Sequence, residues 1–321
     1  MVLMKQIMVH IWQDVKNHVL QSRSYSSRID WVKLRPLILK KIENRERGYI
    51  VKDLVPVAHD VFNARAQLVE GVSALLNVIP IKACEFCPEI HLGNSGHLIK
   101  TCNGRKHTSK NCAHTWIDGD LRDILVRVES FHRHNISQDG LKHGQFCRVP
   151  AVLELCSQAG LDIPDEILYA PDEIPENRSI TASPAELRSV AQVTLEAWER
   201  LRLGVKKLLF VYPANTCEYC LDIRIGNRSQ LHGVFKRKCL EKSHHWKRAS
   251  VDTLVPPKVV WYTRPQDPSV LLDSGRGYYG RAPAVVGLCA QAGAWVPKTY
   301  FRMMKLKGFT LENAIRTGSS H

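Results

Sequence analysis

Two cysteine pairs, Cys84-Glu85-Phe86-Cys87 and Cys217-Glu218-Tyr219-Cys220, are the residues whose type and spacing point most directly to chemistry. Two thiolates separated by two residues in a tight turn supply half of a tetrahedral metal site, and zinc takes four such ligands. Each pair is followed by a third cysteine, Cys102 or Cys239. The expected sets are Cys84, Cys87, Cys102 with His114, and Cys217, Cys220, Cys239 with His244, because His114-Thr115-Trp116 aligns with His244-His245-Trp246. His97 or His107 in the first set, and His232 or His245 in the second, are the alternative fourth ligands. This pattern predicts about two Zn2+ ions per chain. Cys156 and Cys289 lie in apolar stretches and read as buried thiols, whereas Cys112 and Cys147 have no counterpart in the other set.

The loops around these ligands carry one sign of charge. Residues 97–114 contain Lys100, Arg105, Lys106 and Lys110 without an acid. Residues 232–248 contain Lys236, Arg237, Lys238, Lys242, Lys247 and Arg248 against Glu241 alone. Such loops attract phosphate, and Trp116 and Trp246 beside them offer faces on which unpaired bases could stack. Arg148 and Arg281 are further phosphate contacts in this reading. The whole chain agrees: 45 Lys and Arg against 31 Asp and Glu give a net charge of +14, which suits a polyanionic partner. No P-loop, dinucleotide fingerprint or nucleophile triad is present. His132 and His134 face Tyr262 and Arg264 in the other set, so no catalytic group recurs with the scaffold. Binding without catalysis is the expectation, with a zinc-dependent nuclease and a protein-protein scaffold as the competing readings.

The elements that must position these residues come in two copies. Val57, Gly71-Val72, Leu75-Leu76 and Pro80 match Val190, Gly204-Val205, Leu208-Leu209 and Pro213 at a constant shift of 133, which the cysteine pairs keep. The shift changes in the loops and returns at Arg148, Pro150, Cys156, Gly160 and Pro164, matched by Arg281, Pro283, Cys289, Gly293 and Pro297. Agreement of this length implies a tandem duplication. Each unit reads as a helix, a small zinc-binding knuckle with a hairpin, and further helices: an α+β fold, mainly helical. Ser183-Pro184-Ala185-Glu186 forms a capping box ahead of Val190, Val193, Ala197, Leu201, Val205 and Leu208 at helical spacing. A helix is expected over residues 120–128, and short helices over 150–159 and 283–292 stop at Gly160 and Gly293.

The first unit spans residues 50–165 and the second 183–298, joined by an acidic, proline-containing linker at 166–182 and followed by a C-terminal tail at 299–321. Residues 1–27 read as a transit peptide: Lys5, Lys16 and Arg23 alternate with Ile7, Val9, Ile11, Val15 and Leu20, and Asp14 is the sole acid. Arg23-Ser24-Tyr25-Ser26-Ser27 has the look of a mitochondrial processing site, so the mitochondrial matrix is expected, with the chloroplast stroma as the alternative. No apolar run reaches the roughly 18 residues that a membrane span requires.

The motif Cys84-Glu85-Phe86-Cys87-Pro88-Glu89-Ile90-His91-Leu92-Gly93, then Gly96-His97, Thr101-Cys102 and His114-Thr115-Trp116, resembles the repeated motif of the plant APO family, named for accumulation of photosystem one. That resemblance implies an organellar RNA-binding protein that promotes splicing of group II introns alongside other organellar splicing factors. Such introns carry their own chemistry, so the implied role is to bind intron RNA and stabilise its active fold. The second copy departs from the motif, with Leu221 for Pro88, Arg224 for His91, and Gln230-Leu231-His232 for Gly96-His97.

Overall fold

Apolar residues recurring every three to four positions wind helix α1 (Val55–Leu76), which buries Ala58, Val61, Ala64, Leu68, Val72 and Leu75. Its counterpart, α5 (Pro184–Val211), begins as its sequence requires. The Ser183 side chain accepts from the Glu186 N–H, the Glu186 carboxylate accepts from the Ser183 N–H at 2.7 Å, and Pro184 occupies the first turn. Helix α5 buries Ala197, Leu201, Val205 and Leu208 as expected, but Val193 faces outward and Thr194 takes the inward position. The reason is the partner helix. The two helices run antiparallel with their backbones so close that a Cβ on Gly71 would lie 2.0 Å from Thr194 Oγ1, and one on Gly204 would lie 2.2 Å from Val61 Cγ2. Gly204 and Thr194 each follow Gly71 and Val61 by 133 positions, so each half's glycine receives the other half's β-branched residue.

This is a computed structural model describing residues 50–104, 111–132, 148–169, 183–226 and 245–306, all within one compact unit, Ile50–His321. After α1 come β1 (Ile81–Cys84), β2 (Ile90–Leu92), β3 (Trp116–Asp118), α2 (Leu121–Ile124), β4 (Glu129–Phe131), β5 (Arg148–Pro150), α3 (Ala151–Gln158) and α4 (Asp165–Leu168). After α5 the same order runs again: β6 (Ala214–Cys217), β7 (Ile223–Ile225), β8 (Trp246–Arg248), α6 (Val251–Leu254), β9 (Val259–Tyr262), β10 (Gly280–Pro283), α7 (Ala284–Gln291) and α8 (Lys298–Phe301). The class is α+β.

The halves do not keep to themselves. Strands β2-β1-β3 form one antiparallel sheet, but the β4–β5 hairpin of the first half joins the second half's strands through a parallel pairing of Ser130 with Ile223, giving the order β5-β4-β7-β6-β8. Reciprocally, the β9–β10 hairpin of the second half packs beside β2, where Gly287 of α7 meets Leu92 closely enough that a Cβ would lie 2.9 Å from it. One hydrophobic core, running from Ala58 to Met304, serves both halves.

Several expected elements are shorter or longer than the sequence suggests. Residues 120–128 form a single helical turn, because Asp120 caps Leu121–Ile124 and the chain must straighten to pair as β4. The short helices α3 and α7 fall where expected, and burial pushes their Cys156 and Cys289 thiols up to about 12, which fits inert packing groups. Helix α4 carries the fold past residue 165 by burying Leu168, and the fully buried Met304 anchors residues 299–306 to the core. Residues 1–27, and 170–182 of the linker, lie outside the described residues.

The helix crossing sets a test. Gly71→Ala and Gly204→Ala should each destabilise the protein by about 1–3 kcal/mol through overpacking, outweighing the roughly 0.5–1 kcal/mol that alanine adds to helix propensity. Gly277→Ala, with nothing within 4 Å, should be near neutral. Urea midpoints at unchanged slope give the comparison.

Candidate metal centre and its basic surround

Strand β1 ends at Cys84, and the chain turns back through Cys87 into β2, with the Cys84 N–H bonded to the Glu89 carbonyl at 3.0 Å. Pairing of Cys84 with Trp116 across β1 and β3 brings His114 to the same turn. Cys102 arrives from the following loop, pinned by reciprocal 3.1 Å backbone bonds with Cys112. The ligand atoms of Cys84, Cys87, Cys102 and His114 consequently all lie within 4.8 Å of one another.

The spacing within this group is specific. Cys84 Sγ and Cys102 Sγ are 3.8 Å apart, and Cys87 Sγ and His114 Nδ1 are 3.5 Å apart. A tetrahedral ion with metal–sulfur bonds of about 2.3 Å and metal–nitrogen bonds of about 2.0 Å needs sulfur–sulfur edges of about 3.8 Å and sulfur–nitrogen edges of about 3.5 Å. The donor set therefore fits a tetrahedral cation. Burial raises the Cys84 thiol, yet the amides of Phe86 and Cys87 and the adjacent thiols outweigh it and hold Cys84 below its ordinary value. Burial, together with the neighbouring thiols, pushes Cys87 up to about 12.

Thr101 and Glu89 fix the histidine. His114 Nε2 lies 2.9 Å from Thr101 Oγ1, and the Thr101 hydroxyl donates to Glu89 Oε2 at 2.7 Å. With its proton spent on Glu89, Thr101 can only accept from His114, so the imidazole carries hydrogen on Nε2 and presents a bare Nδ1 to the cysteines. Glu89 is steadied in turn by Trp261 of β9, whose indole N–H donates to Oε1 at 2.8 Å. Burial would raise the Glu89 carboxyl, but the bonds from His97, Thr101 and Trp261 bring it down to about 2. His97, an alternative ligand in the sequence, stands beside Glu89: its Nδ1 accepts from the Ile99 N–H at 3.2 Å, its Nε2 stands 3.4 Å from Glu89 Oε1, and Glu89, His97 and His114 form a second group with donor atoms within 4.8 Å of one another. Burial and the nearby His97 push His91 down to about 4, leaving it a neutral packed ring. His107 lies outside the described residues.

The second knuckle repeats the backbone of the first. Cys217 N–H bonds the Asp222 carbonyl at 2.9 Å and Glu218 N–H bonds the His245 carbonyl at 2.9 Å, matching Cys84 with Glu89 and Glu85 with Thr115. His245 itself turns to solvent, 2.7 Å from the Glu218 carboxylate. Cys220 Sγ donates to Asp222 Oδ2 at 3.1 Å, and Arg148 of β5 holds Asp222 Oδ1 at 2.8 Å. Arg148 stands to Asp222 as Trp261 stands to Glu89. Cys239, His232 and His244 lie outside the described residues.

The residues expected to meet RNA fall into three groups. Trp116 is part of the metal surround: its ring stacks on His114 at 4.8 Å and its N–H donates to the His97 carbonyl at 3.1 Å. Trp246 is covered on one face by Arg224 at 4.6 Å, and Arg148 lies over Phe131 while holding Asp222. Lys100, Lys247, Arg248 and Arg281 are exposed. Arg105, Lys106, Lys110, Lys236, Arg237, Lys238 and Lys242 lie outside the described residues. Thr101 and Trp261 are functional neighbours that the sequence did not single out. Thr101 sits inside the motif, but Trp261 comes 172 positions after Glu89 and no spacing rule joins them.

The APO RNA-binding family matches this chain twice, over residues 20–168 and 173–306. Three Arabidopsis thaliana proteins are similar over most of its length. APO protein 1, chloroplastic, is 33% identical over 84% of this chain and 72% of its own. APO protein 2, chloroplastic, is 34% identical over 82% and 69%. APO protein 3, mitochondrial, is 32% identical over 81% and 74%. No solved structure matches. The chain belongs to the APO RNA-binding family.

Loss of an outer partner should register in the affinity of this group for a metal ion. Trp261→Phe, which keeps the ring and removes the N–H, and Glu89→Gln should each weaken metal affinity by about 10–100-fold. Competition with a chromophoric chelator measures it, and the same substitutions should leave the knuckle at Cys217 and Cys220 unaffected.

Proposed function

We propose that this chain is an organellar RNA-binding protein that promotes splicing of group II introns by binding and stabilising intron RNA, without catalysing the reaction itself. The observation that carries the reading is the close-set Cys84, Cys87, Cys102 and His114 group, set in a basic chain of a family described by RNA binding. Zinc is the ion that best suits three thiolates and one imidazole at these edge lengths. Bound there, it would crosslink the turn, the 102 loop and β3, and Cys217, Cys220, Cys239 and His244 would hold a second ion in the same manner. Its role is structural, since four protein ligands leave no open position for a substrate. The duplicated sequence supports descent of the two halves from one unit.

The basic, nearly acid-free presequence favours the mitochondrial matrix, and the relatives include both a mitochondrial protein and chloroplastic ones. Among the described residues no helix is long and apolar enough to cross a membrane. His132, the histidine nearest to a catalytic reading, is buried with its Nδ1 2.6 Å from Glu154, which favours a core pair over a general base.

Crosslinking and immunoprecipitation of the tagged protein from its organelle should enrich group II intron sequence over exon sequence. Enrichment of no intron, or metal-dependent cleavage of a labelled transcript by the purified protein, would overturn the reading. Elemental analysis should find zinc at two per chain, falling by one in Cys84→Ser and by one in Cys217→Ser.

A further inference from the structure

Three segments far apart in sequence meet on one face beside the first knuckle. The Leu98 N–H bonds the Leu271 carbonyl and the Lys100 N–H bonds Asp273 Oδ1, both at 2.9 Å. The Arg281 N–H bonds the Met303 carbonyl at 2.7 Å, and Lys305 Nζ reaches the Gly277 carbonyl. Gly280 packs so tightly on Met304 that a Cβ there would lie 2.4 Å from its carbonyl carbon. Residues 98–100, 271–281 and 302–305 are thereby fixed as one surface built from both halves.

Its chemistry is uniform. Lys100, Arg276, Arg281, Arg302 and Lys305 are exposed on these segments, and the one acid among them, Asp273, is engaged by the Lys100 amide. Among the described residues, Arg276, Arg281 and Arg302 make no ion pair. Arg281 lies over the Trp261 ring at 4.9 Å, which sets its guanidinium in place and ties the surface to the partner of Glu89. Of the two adjacent tyrosines, Tyr279 is buried with its hydroxyl 3.3 Å from the Leu272 N–H, while Tyr278 is 75% exposed. Leu98 and Met303 add apolar exposure nearby.

We infer that this composite face is a binding surface for an unpaired RNA strand, with Tyr278 as the base-stacking platform and Arg276, Arg281 and Arg302 as phosphate contacts. The inference rests on the RNA-binding reading and deepens it. Unpaired cations attract the backbone and an exposed aromatic ring takes the face of a base, the combination that single-stranded RNA meets and that duplex RNA, with its bases stacked away, does not use. An acidic protein segment would match the charge, but the exposed Tyr278 ring among unpaired arginines favours a strand that offers both phosphates and bases.

Full-length protein and a fluorescently labelled, unstructured RNA oligomer, titrated at several salt concentrations, provide the test. Tyr278→Ala should weaken binding about tenfold or more while Tyr278→Phe binds like the wild type. The double variant Arg276→Ala, Arg302→Ala should lower the slope of log affinity against log salt by about 1.4, at about 0.7 per lost phosphate contact on a single strand. Circular dichroism and metal content identical to wild type certify that each variant is folded. Wild-type binding with both variants unchanged, or a preference for duplex over the unpaired oligomer, would overturn this surface. Absence of wild-type binding to any RNA would overturn the RNA-binding reading itself.

Discussion

The close approach of α1 and α5 is the constraint on which the rest of the molecule depends. Gly71 admits Thr194 and Gly204 admits Val61, and any side chain at either glycine would part the helices. Since the helices are antiparallel and the contacting positions correspond, the chain leaving each helix is delivered to an opposite end of the pair. Each half then has its own knuckle at one end, and its hairpin crosses to the knuckle of the other. The outcome is visible in two bonds: Trp261 of the second half on Glu89 of the first, and Arg148 of the first half on Asp222 of the second. Buried carboxylates need partners, and here the partners come from across the molecule. The His132 and Glu154 pair adds a third tie, because Gln158 donates both to Glu154 and to the carbonyl of Ile225 in β7.

Within this shared plan the two knuckles are lined differently. The first is enclosed by imidazole and indole rings, with His97 4.8 Å from Trp116 and 5.1 Å from His114. The second has Arg224 where the first has His91, and Nε and Nη1 of this guanidinium find no hydrogen-bond acceptor among the described residues. Burial lowers the Arg224 pKa, and the Trp246 ring supplies the compensation that an acceptor would otherwise give. One backbone pattern thus carries an aromatic lining in one knuckle and a guanidinium in the other.

Local features were legible in the sequence. The capping box at Ser183, the glycine-ended helices α3 and α7, and the convergence of Cys84, Cys87, Cys102 and His114 follow from spacing and residue type, because turn and cap chemistry act over a few residues. The aligned glycines at 71 and 204 were visible too, although their use as a mutual contact was not. What spacing does not carry is the crossing of the halves. Two matching stretches of sequence suggest separate units in a row, yet parallel pairing of β4 with β7 places residues 93 apart in one sheet. The same blind spot hides the bond of Arg148 to Asp222, while the packing of Trp116 on His114 is local.

An interlocked pair of halves has to unfold as one. Hydrogen exchange of the full-length protein in rising denaturant, followed peptide by peptide, reads this directly. The account predicts that the slowest amides of α1, α5 and both knuckles exchange through a single global opening with one denaturant dependence. Opening of one half while the other stays protected would contradict it.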